Sequence, residues 1–550
     1  MKMFRNSKRV LSALMALALC AGLLAGCTGS SGGGAAAPAQ TQAAGGGAAA
    51  PAQTQAAGGG AAAPAAAPAK DTLVVGLPSE PTTCDSVTAT ERITFFPVYP
   101  IHDSLIGYNG DELVPRVAES WTVSDDGLEY NFKIREGIKF HRGQDLTVDD
   151  VVFTVEKLME LDQMNFGALE KVEKVDDHNM KITLKYPFNP ILYQLANPRA
   201  GIVNKADWLA DGDQHGRNPN GTGPFKFESW VSGDTISLVR NDDYWRGPAP
   251  LKSIKFKIMS QESTELVALE AGEIDCYVQP TQANRQLIEG NPDLVFYEVP
   301  GTIVVTMGFN NGPRPDGKES IFENNQALRE AFCYAINKED LSIAATEGSA
   351  PPIETPYPAF VAAWPADFKG IQYDPEMAKQ KLAEAGYPNG IDVTMRVRAS
   401  SIYAVPGPIL QNQLSKVGIN LKIEELEHGV YLEEVYNGFN YDVTIYAMSA
   451  DYPDADHAGF RRMYSGNIKP GMNWMQINNP ELDDVIMTNR TSTDAAVRAQ
   501  CTLKMAEIMR DNAYMLPLYC PTQTLAHHKG IKGVNMRSDL VTDFYEWSWE

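Results

Sequence analysis

Cysteine, basic charge, long apolar runs and catalytic motifs are all scarce in this sequence of 550 residues. Seven cysteines occur and none falls in a CxxC pair, which excludes zinc-ribbon and dithiol signatures. Apart from Cys20 and Cys27 near the N-terminus, five remain: Cys84, Cys276, Cys333, Cys501 and Cys520. An odd number cannot all pair within one chain. One disulfide, Cys501 with Cys520, stays open, and Cys333 lies on an apolar helix face as a small buried hydrophobe. Lysine and arginine number 47 against 69 aspartates and glutamates, giving a formal net charge of −22. That balance argues against nucleic-acid partners and against an electrostatic hold on anionic lipid. Beyond the first residues no apolar run is long enough to cross a bilayer, which takes about 20 residues. GxSxG, HExxH and GxxxxGKS are all missing. An enzyme is therefore not expected, nor is a cofactor.

What is present begins with the N-terminus. Lys2, Arg5, Lys8 and Arg9 precede an apolar stretch from Val10 to Leu24, which is short for a membrane span. Leu24-Ala25-Gly26-Cys27 resembles the lipobox of bacterial lipoprotein signal peptides. The resemblance implies cleavage after residue 26, a diacylglycerol on the Cys27 thiol, and a protein anchored outside the cytoplasmic membrane. Loss of residues 1–26, which carry four positive and no negative charges, moves the net charge from −22 to −26. Residues 27–70 form a linker. The unit GGGAAAPAQTQAA begins at Gly32, repeats at Gly45 and restarts at Gly58, without a charge or an aromatic residue to build a core. As a flexible coil, about 42 such residues reach roughly 35 Å.

Globular sequence starts at Leu73-Val74-Val75-Gly76, and strands and helices alternate beyond it. Tyr130, Phe132 and Ile134 alternate with polar residues, Glu136-Gly137 turns, and Ile138 and Phe140 resume, which predicts a hairpin. Met180, Ile182, Leu184 and Tyr186 predict another strand. Thr147 is the expected N-cap of a helix with Asp149 and Asp150 in its first turn and Val151, Val152, Val155, Leu158 and Met159 at helical spacing. Asp374-Pro375 starts a further helix that Gly386 and Pro388 end. Asp451, Asp454, Asp456 and His457 are spaced unlike a DxDxDG calcium loop, so the segment is read as a solvated turn and no metal is expected. His527-His528 is read as a surface pair near the final strand.

Several ordered motifs carry a family resemblance. They are Val117-Ala118-Glu119-Ser120-Trp121, Lys139-Phe140-His141, Leu146-Thr147-Val148-Asp149-Asp150-Val151, Gly221-Thr222-Gly223-Pro224-Phe225 and Asn241-Asp242-Asp243-Tyr244-Trp245. Glu270-Ala271-Gly272-Glu273-Ile274-Asp275, Leu328-Arg329-Glu330-Ala331, Ala335-Ile336-Asn337-Lys338 and Ala385-Gly386-Tyr387-Pro388 continue the series. Together they resemble the extracellular solute-binding proteins of family 5, the dipeptide- and oligopeptide-binding proteins of ABC importers. The resemblance implies a two-lobed α/β fold of the periplasmic-binding-protein kind, type II, of the large variety with an extra subdomain and a hinge-closing cleft. One lobe would span 71–308 plus 528–550, with the subdomain 104–220 inserted, and the second 309–527. The implied partners are a small peptide or other solute, an ABC permease with its ATPase subunits, and the membrane through the lipid. A monomer is expected. Relatives of this fold also bind oligosaccharides or metal chelates, and a ligand-sensing surface receptor is the alternative outside transport.

The resemblance also points to site residues. In peptide-binding relatives the aspartate at the position of Asp451 pairs with the ligand's α-ammonium, a partner that an enclosed cation needs. Tyr452 adjoins it. Ala447-Met448 stands where peptide binders usually carry Gly-Trp, and Ala455 where proline is expected. Met448 would supply an adaptable apolar wall. A peptide carboxylate needs a basic partner, yet the loop Ser400 to Pro406 holds no arginine, which leaves Arg398 as the nearest candidate. Tyr403 could present a hydroxyl over an apolar ring. Thr88, Thr90 and Gly301-Thr302 belong to segments that face the cleft in relatives.

Overall fold

A computed structural model describes residues 70–550 except 111, 162–165, 316–318 and 400. The expected signal segment, Cys27 and the repeated linker lie outside the described residues. Two large sheets organise the rest. The first runs Leu294–Val299, Gln523–His528, Cys276–Val278, Thr72–Leu77, Ser253–Ile258, Thr235–Arg240 and Phe225–Val231 in spatial order. Thr72–Leu77 lies at its centre, parallel to strands on both sides. Its nearly continuous apolar run is what a strand covered on both faces requires, and Leu73, Val75 and Leu77 are fully buried. The second sheet runs Ile419–Leu426, Ile391–Arg398, Val443–Ser449, Ile303–Phe309 and Met515–Tyr519. Each sheet has its own hydrophobic core, the physical content of a two-lobed fold.

The chain passes between the sheets twice. It leaves the first after Val299 through Pro300-Gly301-Thr302 and enters the second at Ile303. It returns after Tyr519 through Cys520-Pro521-Thr522 to Gln523. The two crossings touch: a Cβ on Gly301 would lie 1.8 Å from the Pro521 carbonyl oxygen, so only glycine fits there. Strand pairing thus puts the changes of sheet at 300–302 and 520–522, earlier than the expected 308/309 and 527/528. The same pairing corrects His527-His528. Both residues lie on an interior strand between Cys276–Val278 and Leu294–Val299, and His527 is buried.

A four-stranded antiparallel sheet, Ala118–Val123, Glu129–Ile134, Asn179–Leu184 and Leu169–Lys174, stands apart from the other two. Tyr130, Phe132 and Ile134 bury on one face with Met180, Ile182 and Leu184, in the core shared with Val151, Val155 and Leu158 of the helix Val148–Leu161. The hairpin expected over 130–140 does not form. Both edges of Glu129–Ile134 are taken by Ala118–Val123 and Asn179–Leu184. Gly137, at φ +78°, turns the chain away, and residues 138–146 fold back on themselves. The helix start is a variation on the expected cap. The Thr147 N–H and hydroxyl both donate to Asp150 Oδ2, at 2.9 and 2.6 Å, while Asp149 pairs with Lys174 at 2.9 Å. Asp374 caps Pro375–Glu384 as expected, accepting from the Glu376 and Met377 amides.

All five described cysteines are buried and free, so the Cys501–Cys520 disulfide is not formed. Cys501 packs along the helix Ala495–Asp511, whereas Cys520 sits at the crossing with its Sγ 3.6 Å from the Gly301 carbonyl. Burial lifts the Cys333 thiol to about 12, in keeping with an inert core residue. Among the described residues no helix is long and apolar enough to cross a membrane.

Candidate functional site

In the second sheet Val443–Ser449 lies parallel to Ile391–Arg398 and antiparallel to Ile303–Phe309. The register therefore brings Arg398, Ser449 and Ile303 to one end of the sheet. The Ala450 amide donates to the Thr302 carbonyl at 2.8 Å and closes that end. It is the carboxyl end of the parallel strands, where open α/β sheets place ligands. Thr302 is fully buried there, and its hydroxyl has no hydrogen-bond partner among the described residues.

Asp451 follows directly. Its side chain is 51% exposed and faces the guanidinium of Arg92 of the first lobe, Nη2 at 3.2 Å, and the His457 imidazole, Nε2 at 3.2 Å. Burial alone would raise its pKa. The charges of His457, Arg92 and Arg199 outweigh that penalty and hold the carboxyl well below its ordinary value. Arg199 itself donates to the carbonyl of Thr90. A half-exposed, firmly ionised carboxylate thus stands where the lobes meet.

Two of the expected contacts, Met448 and Tyr452, are enclosed in this structure. Met448 is fully buried in the core with Tyr357, Tyr446 and Trp474. Tyr452 is likewise buried, and its hydroxyl donates to Asp456 Oδ2 at 3.0 Å. Arg398 lies over the Tyr403 ring at 5.4 Å and has no carboxylate within ion-pair distance among the described residues. Tyr403 stands on the short helix Ser401–Ala404, where burial raises its pKa and Arg398 opposes the rise. Thr88 is exposed, with its hydroxyl donating to Asp85 at 2.9 Å.

The acidic segment after Asp451 is not a solvated turn. Asp454 and Asp456 are almost fully buried: Asp454 pairs with Arg498, and Asp456 takes both 2.9 and 2.8 Å bonds from Arg490 Nη1. Arg490 lies 3.7 Å over the Phe460 ring and also reaches the Tyr186 hydroxyl at 3.3 Å, a second tie across the interlobe boundary. These buried pairs fix the loop that carries Asp451. They also occupy the carboxylates a metal would need, and no group of potential metal ligands occurs among the described residues.

Sequence reasoning missed Arg92, Arg199, Arg461 and Arg462. Only the doublet Arg461-Arg462, two basic residues closing a helix in an acidic chain, left a local signal.

Comparison with known proteins identifies the family. The description "Bacterial extracellular solute-binding proteins, family 5 Middle" fits residues 112–469. The glutathione-binding protein GsiB of Escherichia coli K12 is 28% identical over 491 residues, covering 86% of this chain and 94% of that one. A di/tripeptide-binding protein of Pseudomonas aeruginosa is 25% identical, with coverages of 86% and 94%. HbpA2 from Haemophilus parasuis superposes with a TM-score of 0.81 at 25% identity, covering 87% of this chain and all of that one. DppA from Helicobacter pylori, solved with the peptide STSA, gives 0.70 at 26% identity, with coverages of 88% and 98%. The chain belongs to the bacterial extracellular solute-binding proteins of family 5.

Proposed function

We propose that this protein is the substrate-binding lipoprotein of an ABC importer, anchored through Cys27, that captures a di- or oligopeptide between its lobes and delivers it to the permease. The observation that carries the reading is the half-exposed Asp451 carboxylate facing Arg92 across the lobe boundary. A peptide's α-ammonium takes the place of the Arg92 guanidinium. It gains an enclosed, charge-assisted bond, and Arg92 is released toward solvent or toward the ligand's own acidic groups. Arg398 and Tyr403, at the end of the neighbouring strand, receive the far end of the peptide. The unpartnered Thr302 hydroxyl offers a backbone contact. Closure about Gly301 and Pro521 then follows from contacts the ligand makes only when both lobes reach it.

Support comes from the names borne by relatives, which include a di/tripeptide-binding protein and a structure holding the peptide STSA. Native mass spectrometry of the full-length protein, purified from rich medium without denaturation, tests the reading. A co-purified series of peptides is the expected outcome. A sugar, a metal chelate or heme as the released molecule would overturn the peptide assignment.

A further inference from the structure

The chain is strongly acidic, yet Arg398, Arg461 and Arg462, gathered around Tyr436, make no ion pair with a carboxylate among the described residues. Arg398 closes the strand Ile391–Arg398, and Arg461 and Arg462 close the helix Asp456–Arg462. Arg398 lies over Tyr403 at 5.4 Å, and Arg462 over Tyr436 at 5.6 Å. Arg462 Nη1 donates to the carbonyls of Gly471 and Met472, at 2.9 and 3.1 Å, so its position is fixed without its charge being neutralised. Arg461 makes no ion pair among the described residues, and its Nε is buried without a partner. Tyr436 lies within the electrostatic reach of Arg462, Arg461 and Arg398 together. Burial depresses the Arg462 pKa and the Arg461 charge acts in the same direction, while Tyr436 and the Asp451 carboxylate oppose it.

Such an arrangement is costly for an empty protein. Arg461 and Arg462 stand close and partly desolvated, and among the described residues Asp451 is the carboxylate that acts on Arg462 at longer range. One peptide C-terminus could satisfy one guanidinium fork bidentately. Arg398 and Arg461 open from different elements, so a second fork remains.

We propose that Arg398, Arg461 and Arg462 form an anion subsite next to Asp451, and that the natural ligand carries a second anionic group besides its terminal carboxylate. The inference rests on the reading of this cleft as a peptide site and names the class of peptide: acidic. The aromatic rings of Tyr403 and Tyr436 lie against the guanidinium groups, so the subsite selects planar carboxylates through fork geometry as well as charge.

Calorimetric titration of the full-length protein with Ala-Ala-Ala, Glu-Ala-Ala, Ala-Glu-Ala, Ala-Ala-Glu and Ala-Lys-Ala tests this. The amine-free triacid tricarballylate serves as a further probe. At least one glutamate peptide should bind tenfold or more tighter than Ala-Ala-Ala, and Ala-Lys-Ala should bind weakest. Arg461→Gln should erase the glutamate advantage, leaving the glutamate peptides within about threefold of Ala-Ala-Ala on the same variant. Arg461→Lys should restore part of it, a pattern that a merely structural role would not produce. Equal affinity for neutral and acidic peptides would overturn the inference and leave the peptide reading standing. Binding of tricarballylate with no peptide bound would sink the peptide reading and retain the anion subsite. Failure of every acidic probe would overturn the subsite.

Discussion

Replacing Asp451 by asparagine removes a charge and keeps the side chain's shape. Without ligand the carboxylate is half exposed, and its pairs with Arg92 and His457 at 3.2 Å contribute at most about 0.2–1 kcal/mol each. The fold should therefore tolerate the change. Opposite an enclosed ammonium the same carboxylate matters more, because losing one partner of a hydrogen-bonded charge pair costs about 2–5 kcal/mol. Its exposure favours the lower end, and freedom from competition with Arg92 offsets a few tenths. About 2 kcal/mol remains, or roughly 30-fold in Kd. Calorimetric titration of a tripeptide and its N-acetylated form against both proteins isolates the ammonium. Wild type should prefer the free amine by about that factor, and D451N should not discriminate. The depressed Asp451 pKa adds a sign. A folded value below the ordinary 3.8 keeps the carboxylate ionised as pH falls through the usual carboxylate range, so the preference should stay level from pH 7 to about 4.5. Equal losses for both peptide forms in D451N, or a preference that fades with a midpoint near pH 5, would refute the reasoning.

Other consequences follow from the same geometry. Arg490→Met leaves the buried Asp456 carboxylate without its bidentate partner and should destabilise by about 3–5 kcal/mol; thermal unfolding checks this, and an unchanged Tm would show the pair to be dispensable. Gly301→Ala places a Cβ 1.8 Å from the Pro521 carbonyl and must push the two crossings apart. It should cost on the order of 1–3 kcal/mol and reduce ligand-induced compaction in small-angle scattering. Cys27→Ser should move the protein from the membrane to the soluble fraction, and continued retention would defeat the lipid-anchor reading.

The elements that sequence reasoning anticipated are those with a strong local signal. Asp374-Pro375 announces a helix because both the cap and the fixed proline φ act within one turn. Alternation at Met180, Ile182 and Leu184 announces a strand because one face is buried throughout. The 130–140 hairpin failed for a different reason. Alternation says that a strand exists but not which neighbours it takes, and Asn179–Leu184 and Ala118–Val123 were already available on both edges. The acidic loop misled in the same way. Asp454 and Asp456 read as solvated until helices more than thirty residues further on supply Arg490 and Arg498. Arg92 could not be linked to Asp451 from sequence, since 359 residues separate them and only folding brings them together.

Net charge carries an argument at one range and loses it at another. A formal −22 governs what approaches from a distance, where it disfavours polyanions such as nucleic acid. At physiological ionic strength that influence decays over about 8 Å. Near the proposed subsite the field is set by closer groups: Arg398 and Arg462 have rings and carbonyls beside them, and Arg398, Arg461 and Arg462 make no ion pair among the described residues. An acidic body with a cationic pocket is therefore self-consistent. The surface keeps multiply charged polymers away, while a ligand small enough to enter meets positive charge that the protein has left unneutralised.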